Sequence, residues 1–212
     1  MKCPPAPASD AAGPSSPVVY RIDVTDRLIW TSRSWRVFAV QNHGEDLAAP
    51  SPEGASFWNL LGADAVTVQI YERLVARVRA TGGEVHFPFR CDAPDRCRLM
   101  EMTIRALTDG VVEFQIDSLA DRVRSPVPLL DVAQPHSSDV QVMCGWCNRV
   151  RMSDGAWMEV DDAIGDLGLF VGACPPMLSH GICERCLEEF TAALDLLEGG
   201  ATGLHPEVSI IL

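Results

Sequence analysis

Long apolar runs are absent from this 212-residue chain. No stretch of about 18 consecutive apolar residues occurs, so the sequence predicts no membrane-spanning helix. The residues from Met1 to Pro5 also lack the apolar core of a secretory signal peptide. From these two absences we expect a cytoplasmic protein that has no membrane partner.

Basic residues are scarce, with 17 Lys and Arg against 29 Asp and Glu, which gives a net charge of −12. The imbalance is greatest near the end, where residues 141–212 contain three Arg and eleven acidic residues, a balance of −8. A protein that binds nucleic acid needs a basic face against the phosphate backbone. The composition therefore argues against a nucleic-acid partner.

Familiar catalytic motifs are also missing. The chain contains no nucleophile elbow, no Gly-rich phosphate-binding loop and no helix of the His-Glu metalloprotease type. Its many carboxylates occupy positions that the apolar pattern assigns to solvent. We therefore expect a protein that is not an enzyme.

Cysteine, by contrast, is plentiful, and four of the eight cysteines form two Cys-x-x-Cys pairs, Cys144 with Cys147 and Cys183 with Cys186. Two residues between thiolates let the chain turn so that both sulfurs reach one ion at about 2.3 Å. In a reducing compartment, paired motifs of this kind favour a metal over disulfides. The spacing predicts a structural zinc site with Cys144, Cys147, Cys183 and Cys186 as ligands.

Several alternatives remain open at this site. His180 precedes the second pair by three residues and could replace one thiolate or donate a hydrogen bond to a ligand. Cys174, in the intervening loop, is either a packed small residue or a redox-reactive thiol near the metal. A thioredoxin-like dithiol at Cys144 and Cys147 would leave the second pair without a purpose.

Alternating apolar and polar residues predict five strands, two at the start of the chain and three in a later meander. Between the two groups, three-and-four spacing predicts a helix from Ser32 or Ser34 to Val40, a turn of helix at Phe57–Leu61 and a longer helix over 66–78. A further short helix is predicted at Leu119–Val123. This order predicts an α+β fold in which a five-stranded antiparallel sheet carries its helices on one face.

The same order of elements resembles the Per-Arnt-Sim (PAS) sensory domain. The likeness rests also on Tyr20-Arg21-Ile22-Asp23, on Leu28-Ile29-Trp30 and on the run from Val85 to Asp92 with Met100-Glu101-Met102, which looks like the closing strands of a bacterial PAS-like subfamily. It implies a signalling role, a protein partner or a homodimer formed through the sheet or the flanking helices, and a ligand pocket between the helix of residues 63–80 and the sheet. His43 and His86 are the candidate haem ligands for such a pocket, although His86 lies opposite the aromatic stripe and His43 lies in a loop.

The end of the chain resembles a second known module. A first cysteine turn, a hairpin around Ser153-Asp154-Gly155 and a second cysteine turn at a helix start are similar to a treble-clef or ribbon zinc module. The runs Met143–Cys147 and Ser179–Cys186 also resemble a Cys-rich tail of bacterial PAS proteins and receiver-type regulators.

Two further cysteines, Cys91 and Cys97, flank a predicted turn. They would form a disulfide only if the strand register placed them opposite each other, whereas the apolar alternation places Cys91 in the core.

These patterns divide the chain into five parts: a disordered leader at 1–17, a PAS-like domain at 18–120, a linker at 121–140, a zinc-binding module at 141–198 and a tail at 199–212. Together with the two resemblances, which imply the bacterial signalling role, they predict a non-enzymatic bacterial signalling protein with a structural zinc site. One alternative is a thiol-based redox or metal sensor whose input is the zinc–thiolate site. Another is a haem or small-molecule receptor that uses the PAS pocket.

Overall fold

The computed structural model describes residues 16–44, 47–48, 52–61, 65–167, 174–199 and 208–209. Nearly all of the predicted leader, and most of the predicted tail, lie outside these residues. None of the described helices is long and apolar enough to cross a membrane.

The fold is α+β, as predicted, and its larger sheet contains five antiparallel strands in the spatial order β3-β4-β5-β1-β2. A short strand, β10, runs parallel to β3 at its edge. The strands are β1 (Val18–Ile22), β2 (Leu28–Thr31), β3 (Glu84–Arg90), β4 (Arg96–Ala106), β5 (Val112–Val123) and β10 (Val208–Ser209).

The predicted helix at Leu119–Val123 is wrong, because this segment completes β5. Residues Ala120 to Val123 pair with Leu99 to Arg96 of β4, beyond an irregularity at Leu99/Met100. The long strand β4 offers main-chain partners to the last four residues of the segment. A single turn of helix gains too few hydrogen bonds to compete with such a ladder.

Three helices connect β2 to β3 and cover one face of the sheet: α1 (Arg33–Gln41), α2 (Phe57–Leu61) and α3 (Ala65–Thr81). Ser32 caps α1, because its hydroxyl accepts a hydrogen bond from the amide of Trp35 at 3.2 Å. In α3 the apolar positions with three-and-four spacing are buried against the sheet. The face that they cover carries Phe87 and Phe114, both fully buried.

The C-terminal part forms a smaller sheet in the order β8-β7-β6-β9, with two helices. The antiparallel β7–β8 hairpin around Ser153-Asp154-Gly155 is as predicted, whereas the parallel pairing of β6 with β9 was not predicted. The elements are β6 (Val140–Cys144), β7 (Arg149–Arg151), β8 (Trp157–Glu159), α4 (Val160–Leu167), β9 (Met177–Gly181) and α5 (Glu184–Gly199).

One hydrophobic core extends through both parts of the chain. The buried cluster that contains Phe87 and Phe114 continues into Trp146, Phe190 and the four paired cysteines. The segment predicted as a linker is itself partly packed, since Val127 and Leu129 are each only 1% exposed in a second cluster. The large sheet therefore supplies one wall of the cysteine site.

Candidate metal centre

The first cysteine pair lies where β6 ends and the chain turns back. Cys144 is the last residue of β6, and its carbonyl accepts a hydrogen bond from the amide of Asn148 at 2.9 Å. Asn148 has a φ of 56°, a left-handed conformation that asparagine adopts more readily than most residues. This turn places both sulfurs of the pair on its inner side, against the second pair.

The second pair arrives through the parallel strand β9. The register aligns Cys144 with Gly181, so the ends of β6 and β9 lie side by side. The amide of Gly145 donates to the carbonyl of Gly181 at 2.9 Å and joins the two turns. Cys183 then stands just before α5 and Cys186 lies in its first turn, which brings both sulfurs to the first pair.

The four thiols of Cys144, Cys147, Cys183 and Cys186 form a group that could hold a metal ion. Their sulfur atoms all lie within 4.8 Å of one another. The sulfurs of Cys147 and Cys183 are 3.7 Å apart. A tetrahedral ion with metal–sulfur bonds of about 2.3 Å requires sulfur–sulfur edges of about 3.8 Å. The donor set and this edge therefore fit a tetrahedral four-thiolate site.

Main-chain amides also point at the sulfurs. The amide of Cys183 donates to the sulfur of Cys144 at 3.4 Å, and the amide of Cys186 donates to the sulfur of Cys183 at 3.5 Å. Both amides come from the start of α5, where the helix dipole favours negative charge. The two contacts stabilise thiolates rather than thiols.

A guanidinium group lies beside the same sulfurs. Burial disfavours the charge of Arg185, but the nearby sulfur of Cys147 and the charge of Glu189 raise its pKa above the ordinary value. Arg185 thus places a fixed positive charge next to a group that carries four negative charges when fully ionised. This cation reduces the repulsion among the thiolates and is a neighbour of the metal ligands rather than a ligand.

The ionisation of each of the four thiols depends on that of the others. Hydrogen bonds from the sulfurs of Cys144, Cys183 and Cys186 lower the pKa of Cys147 far below its ordinary value, and a bond with Cys144 contributes most to lowering that of Cys183 to about 7. The sulfur of Cys147 contributes most to raising the pKa of Cys144. The sulfur of Cys144 contributes most to raising the pKa of Cys186. Four mutual neighbours cannot all carry negative charge without a cation between them, and a bound metal supplies that charge.

The site is closed to solvent. Cys144, Cys147 and Cys186 are 0% exposed, and Cys183 is 1% exposed. A tetrahedral ion with four protein ligands has no free position for water. This geometry is typical of structural metal sites rather than catalytic ones.

The other candidate ligands lie outside the group. His180 is exposed on β9, and Cys174 is exposed at the start of the described segment 174–199. Cys97 is buried and Cys91 is half-buried, and both are free thiols, so no disulfide joins them. Burial raises the pKa of the Cys91 thiol, as expected for a packed residue.

The two histidines considered for haem do not face a common pocket. His86 contacts Thr103 at 3.0 Å and Glu84 at 3.1 Å on the face of β3 opposite Phe87. His43 is exposed beyond the end of α1, with a φ of 58°.

An aromatic contact between the cysteine turn and the large sheet was not predicted. The Trp146 ring lies 6.1 Å from Tyr71 of α3 and 5.0 Å from Phe190 of α5, measured between centroids. Phe190 in turn lies 5.1 Å from Phe87 of β3. The sequence signal for this contact was the position of Trp146 between two cysteines. An aromatic residue inside a metal-binding turn must pack against apolar side chains from another part of the chain.

A polar network runs beside this aromatic contact. The side chains of Arg90 and Asp92 are 4% and 0% exposed, and Arg90 Nε donates to Asp92 Oδ1 at 2.9 Å. Arg90 Nη1 also approaches Glu159 of β8 at 3.4 Å, and Arg124 Nη1 lies 3.1 Å from Asp92. Buried charges of both signs therefore connect β3 with the smaller sheet.

The cysteine group, its amides and its aromatic wall together form a closed cluster that could hold a metal ion and that is built into the core of the protein. Sequence comparisons find no matching protein-family model and no matching curated protein, so the function of the chain is inferred from this site and its surroundings.

Proposed function

We propose that this protein is a non-enzymatic, cytoplasmic bacterial signalling protein, in which a PAS-like sensory and interaction domain carries a C-terminal module held together by structural zinc. The observation that carries the proposal is the closed four-thiolate group packed against the large sheet. The order of two strands, three helices and three strands supports the PAS-like assignment.

Zinc is the metal that the donor set favours. Four soft anionic sulfurs in a tetrahedron suit Zn²⁺, which has no geometric preference of its own and no redox chemistry. Iron in a four-thiolate site would also satisfy the geometry, but it would absorb visible light. When bound, zinc would supply the cross-link that holds the two cysteine turns together, and it would leave no position for catalysis.

The packing of Trp146 relates this cross-link to the sensory domain. The tryptophan lies between two ligands and contacts Tyr71 on α3. A change in α3 or in the sheet would therefore reach the zinc module through direct packing. This arrangement suits a protein that acts by changing its contacts with a protein partner or with a second copy of itself.

Exposed apolar side chains offer a place for such a contact. Val37 and Val40 on α1 are 47% and 54% exposed. The outer face of the large sheet is more polar, since Arg21 and Arg105 both pair with Glu113 there. The flanking helix α1 is therefore the better candidate surface, and light scattering of the V40D variant would test whether it joins two copies.

The metal proposal is tested by purifying the full chain without oxygen and measuring its metal content and absorption spectrum before and after mild peroxide. We expect one zinc per chain, retained after peroxide, and no visible band, because the thiolates are buried. Loss of zinc with a conformational change would instead indicate a redox sensor that uses the zinc–thiolate site. A Soret or flavin band would indicate a cofactor receptor.

A further inference from the structure

A cavity that is separate from the cysteine group lies beside α1. It measures about 670 Å³ and lies between α1, the start of β1 and the paired ends of β4 and β5. Cavities of roughly 300–1,000 Å³ are the usual size of small-molecule sites. By contrast, Leu74, Phe87 and Phe114 occupy the centre of the interior between α3 and the sheet, where each is 0% exposed.

The walls of this cavity are unusually cationic for an acidic protein. Arg33, Arg96 and Arg98 line it with a single carboxylate, Asp121, which pairs with both Arg96 and Arg98, so the lining carries a net charge of +2. Hydroxyl groups, including that of Ser34, add hydrogen-bond donors. In a chain with a net charge of −12, a local concentration of guanidinium groups attracts anions.

Two of the arginines are already held in place. Arg96 Nε donates to Asp121 Oδ1 at 2.7 Å, and Arg98 Nη1 donates to Asn42 Oδ1 at 2.6 Å. The Arg98 guanidinium also lies 5.6 Å from the centre of the Phe38 ring. Fixed guanidinium groups lose little freedom when they bind a carboxylate or a phosphate, which strengthens binding.

The third arginine lies at the mouth of the cavity. Arg33 is exposed in the first turn of α1, and no carboxylate within the described part of the chain pairs with it. The start of α1 also directs the positive end of its helix dipole toward this position. Arg33 is therefore the cation that an incoming anion can engage without displacing an internal partner.

Apolar side chains form the rest of the wall. Val18 and Met100 are 3% and 1% exposed, and Val37 and Phe38 face them from α1. A ligand that fills this space needs an apolar body as well as a charged group. We propose that the cavity binds a small amphiphilic anion, with a carboxylate or phosphate head on Arg33 and Arg98 and an apolar chain against Val37 and Phe38.

Binding at this cavity does not depend on the zinc site, whereas its use as a signal input rests on the proposed sensory function. Isothermal titration calorimetry of the full chain with octanoate, octyl phosphate and octanol separates the ligand chemistries. We expect saturable binding of at least one of the two anions and much weaker binding of octanol. The preferred anion identifies the head group as carboxylate or phosphate.

The decisive variant is Arg33→Gln, with Arg36→Gln as a matched control. Arg36 is exposed on the same helix but does not line the cavity. Loss of a charge-assisted hydrogen bond at Arg33 is expected to weaken anion binding by about tenfold, and the control should bind as the wild type does.

Three results would overturn the inference: no saturable binding of either anion at millimolar concentration, equal binding of octanol, or equal losses in the two variants. Zinc content is measured in the same samples. A chain that lacks zinc but binds the anion would refute the metal proposal alone, and a zinc-loaded chain that binds neither anion would refute this inference alone.

Discussion

The main-chain amide of Arg90 donates a hydrogen bond of 2.7 Å to the carbonyl of Trp146. Arg90 is the last residue of β3, and Trp146 lies between two cysteines of the metal centre. The bond therefore attaches the large sheet directly to the cysteine turn. Because the Arg90 side chain also pairs with Glu159, main-chain and side-chain contacts hold the two parts in one relative position.

Replacing one ligand should remove the metal and loosen the C-terminal part. We expect Cys183→Ser to lose most of its zinc and to be destabilised by several kcal/mol, because structural zinc sites contribute on the order of 10 kcal/mol to folding. Metal analysis and near-ultraviolet circular dichroism measure the two effects. Cys174→Ser is the control, since this exposed thiol lies outside the group. Zinc retention by Cys183→Ser would show that Cys183 is not a ligand.

Truncating Phe190 should destabilise both parts together. The side chain is fully buried between Phe87 and Trp146, so Phe190→Ala is expected to cost about 3–5 kcal/mol. Urea unfolding followed by far-ultraviolet circular dichroism and by tryptophan fluorescence should give one coincident transition. Leu187→Ala, on the exposed side of α5, should change stability by less than about 1 kcal/mol. Two separate transitions, of which only one shifts, would contradict a shared core.

Neutralising Asp92 should be costly, although the substitution is nearly isosteric. Asp92 is 0% exposed and pairs with both Arg90 and Arg124, so Asp92→Asn removes the buried carboxylate that the two guanidinium groups share and leaves them only the more exposed Glu159 and Asp161. Breaking such a buried pair typically costs about 3–5 kcal/mol. Asp161→Asn removes a carboxylate that also pairs with Arg124 but is 60% exposed, and it should cost less than about 1 kcal/mol. Equal losses in chemical denaturation would show that burial does not set the strength of these pairs.

Stability in acid should depend on Glu113. Burial opposes its ionisation, but hydrogen bonds from Arg21 and Arg105 outweigh this effect and lower its pKa. Glu113 ionises more easily in the folded chain than in the unfolded one, so it stabilises the fold above the unfolded pKa. That contribution disappears as the pH falls through the lower, folded pKa.

Glu113→Gln should therefore cost about 1 kcal/mol at pH 7, because both arginine partners are partly exposed, and the cost should shrink toward pH 3. Denaturant midpoints at several pH values between these limits measure the difference. Glu72→Gln, an exposed position on α3, is the control. A cost that stays constant with pH would mean that packing, rather than charge, accounts for the effect.

The strands and helices of the large sheet were predictable because each depends on local pattern. Val85 and Phe87 alternate with polar residues, and Ser32 precedes a helical stripe, so period and capping are visible in the sequence. The exceptions are β10, which lies in the predicted tail, and the end of β5. Its final residues are decided by β4, a strand that begins more than twenty residues earlier.

The grouping of the four thiols was predictable for the same reason. Two residues between Cys144 and Cys147 define a turn, and two such turns define a donor set. The sequence did not reveal how the turns meet. Thirty-five residues separate Cys147 from Cys183, and the parallel pairing of β6 with β9 closes that distance.

The sequence by itself determined the secondary structure of the sheet and the identity of the four thiols, because both follow from residue type and short spacing. Only the tertiary structure decided that Trp146 and Phe190 enter the core of the large sheet, and that Arg90 is buried against Asp92 and Glu159. These contacts join residues up to about a hundred positions apart, and an apolar or charged side chain does not specify which distant partner it will meet. The same limit concealed the cationic cavity, whose arginines come from α1 and β4 and meet only in the folded chain.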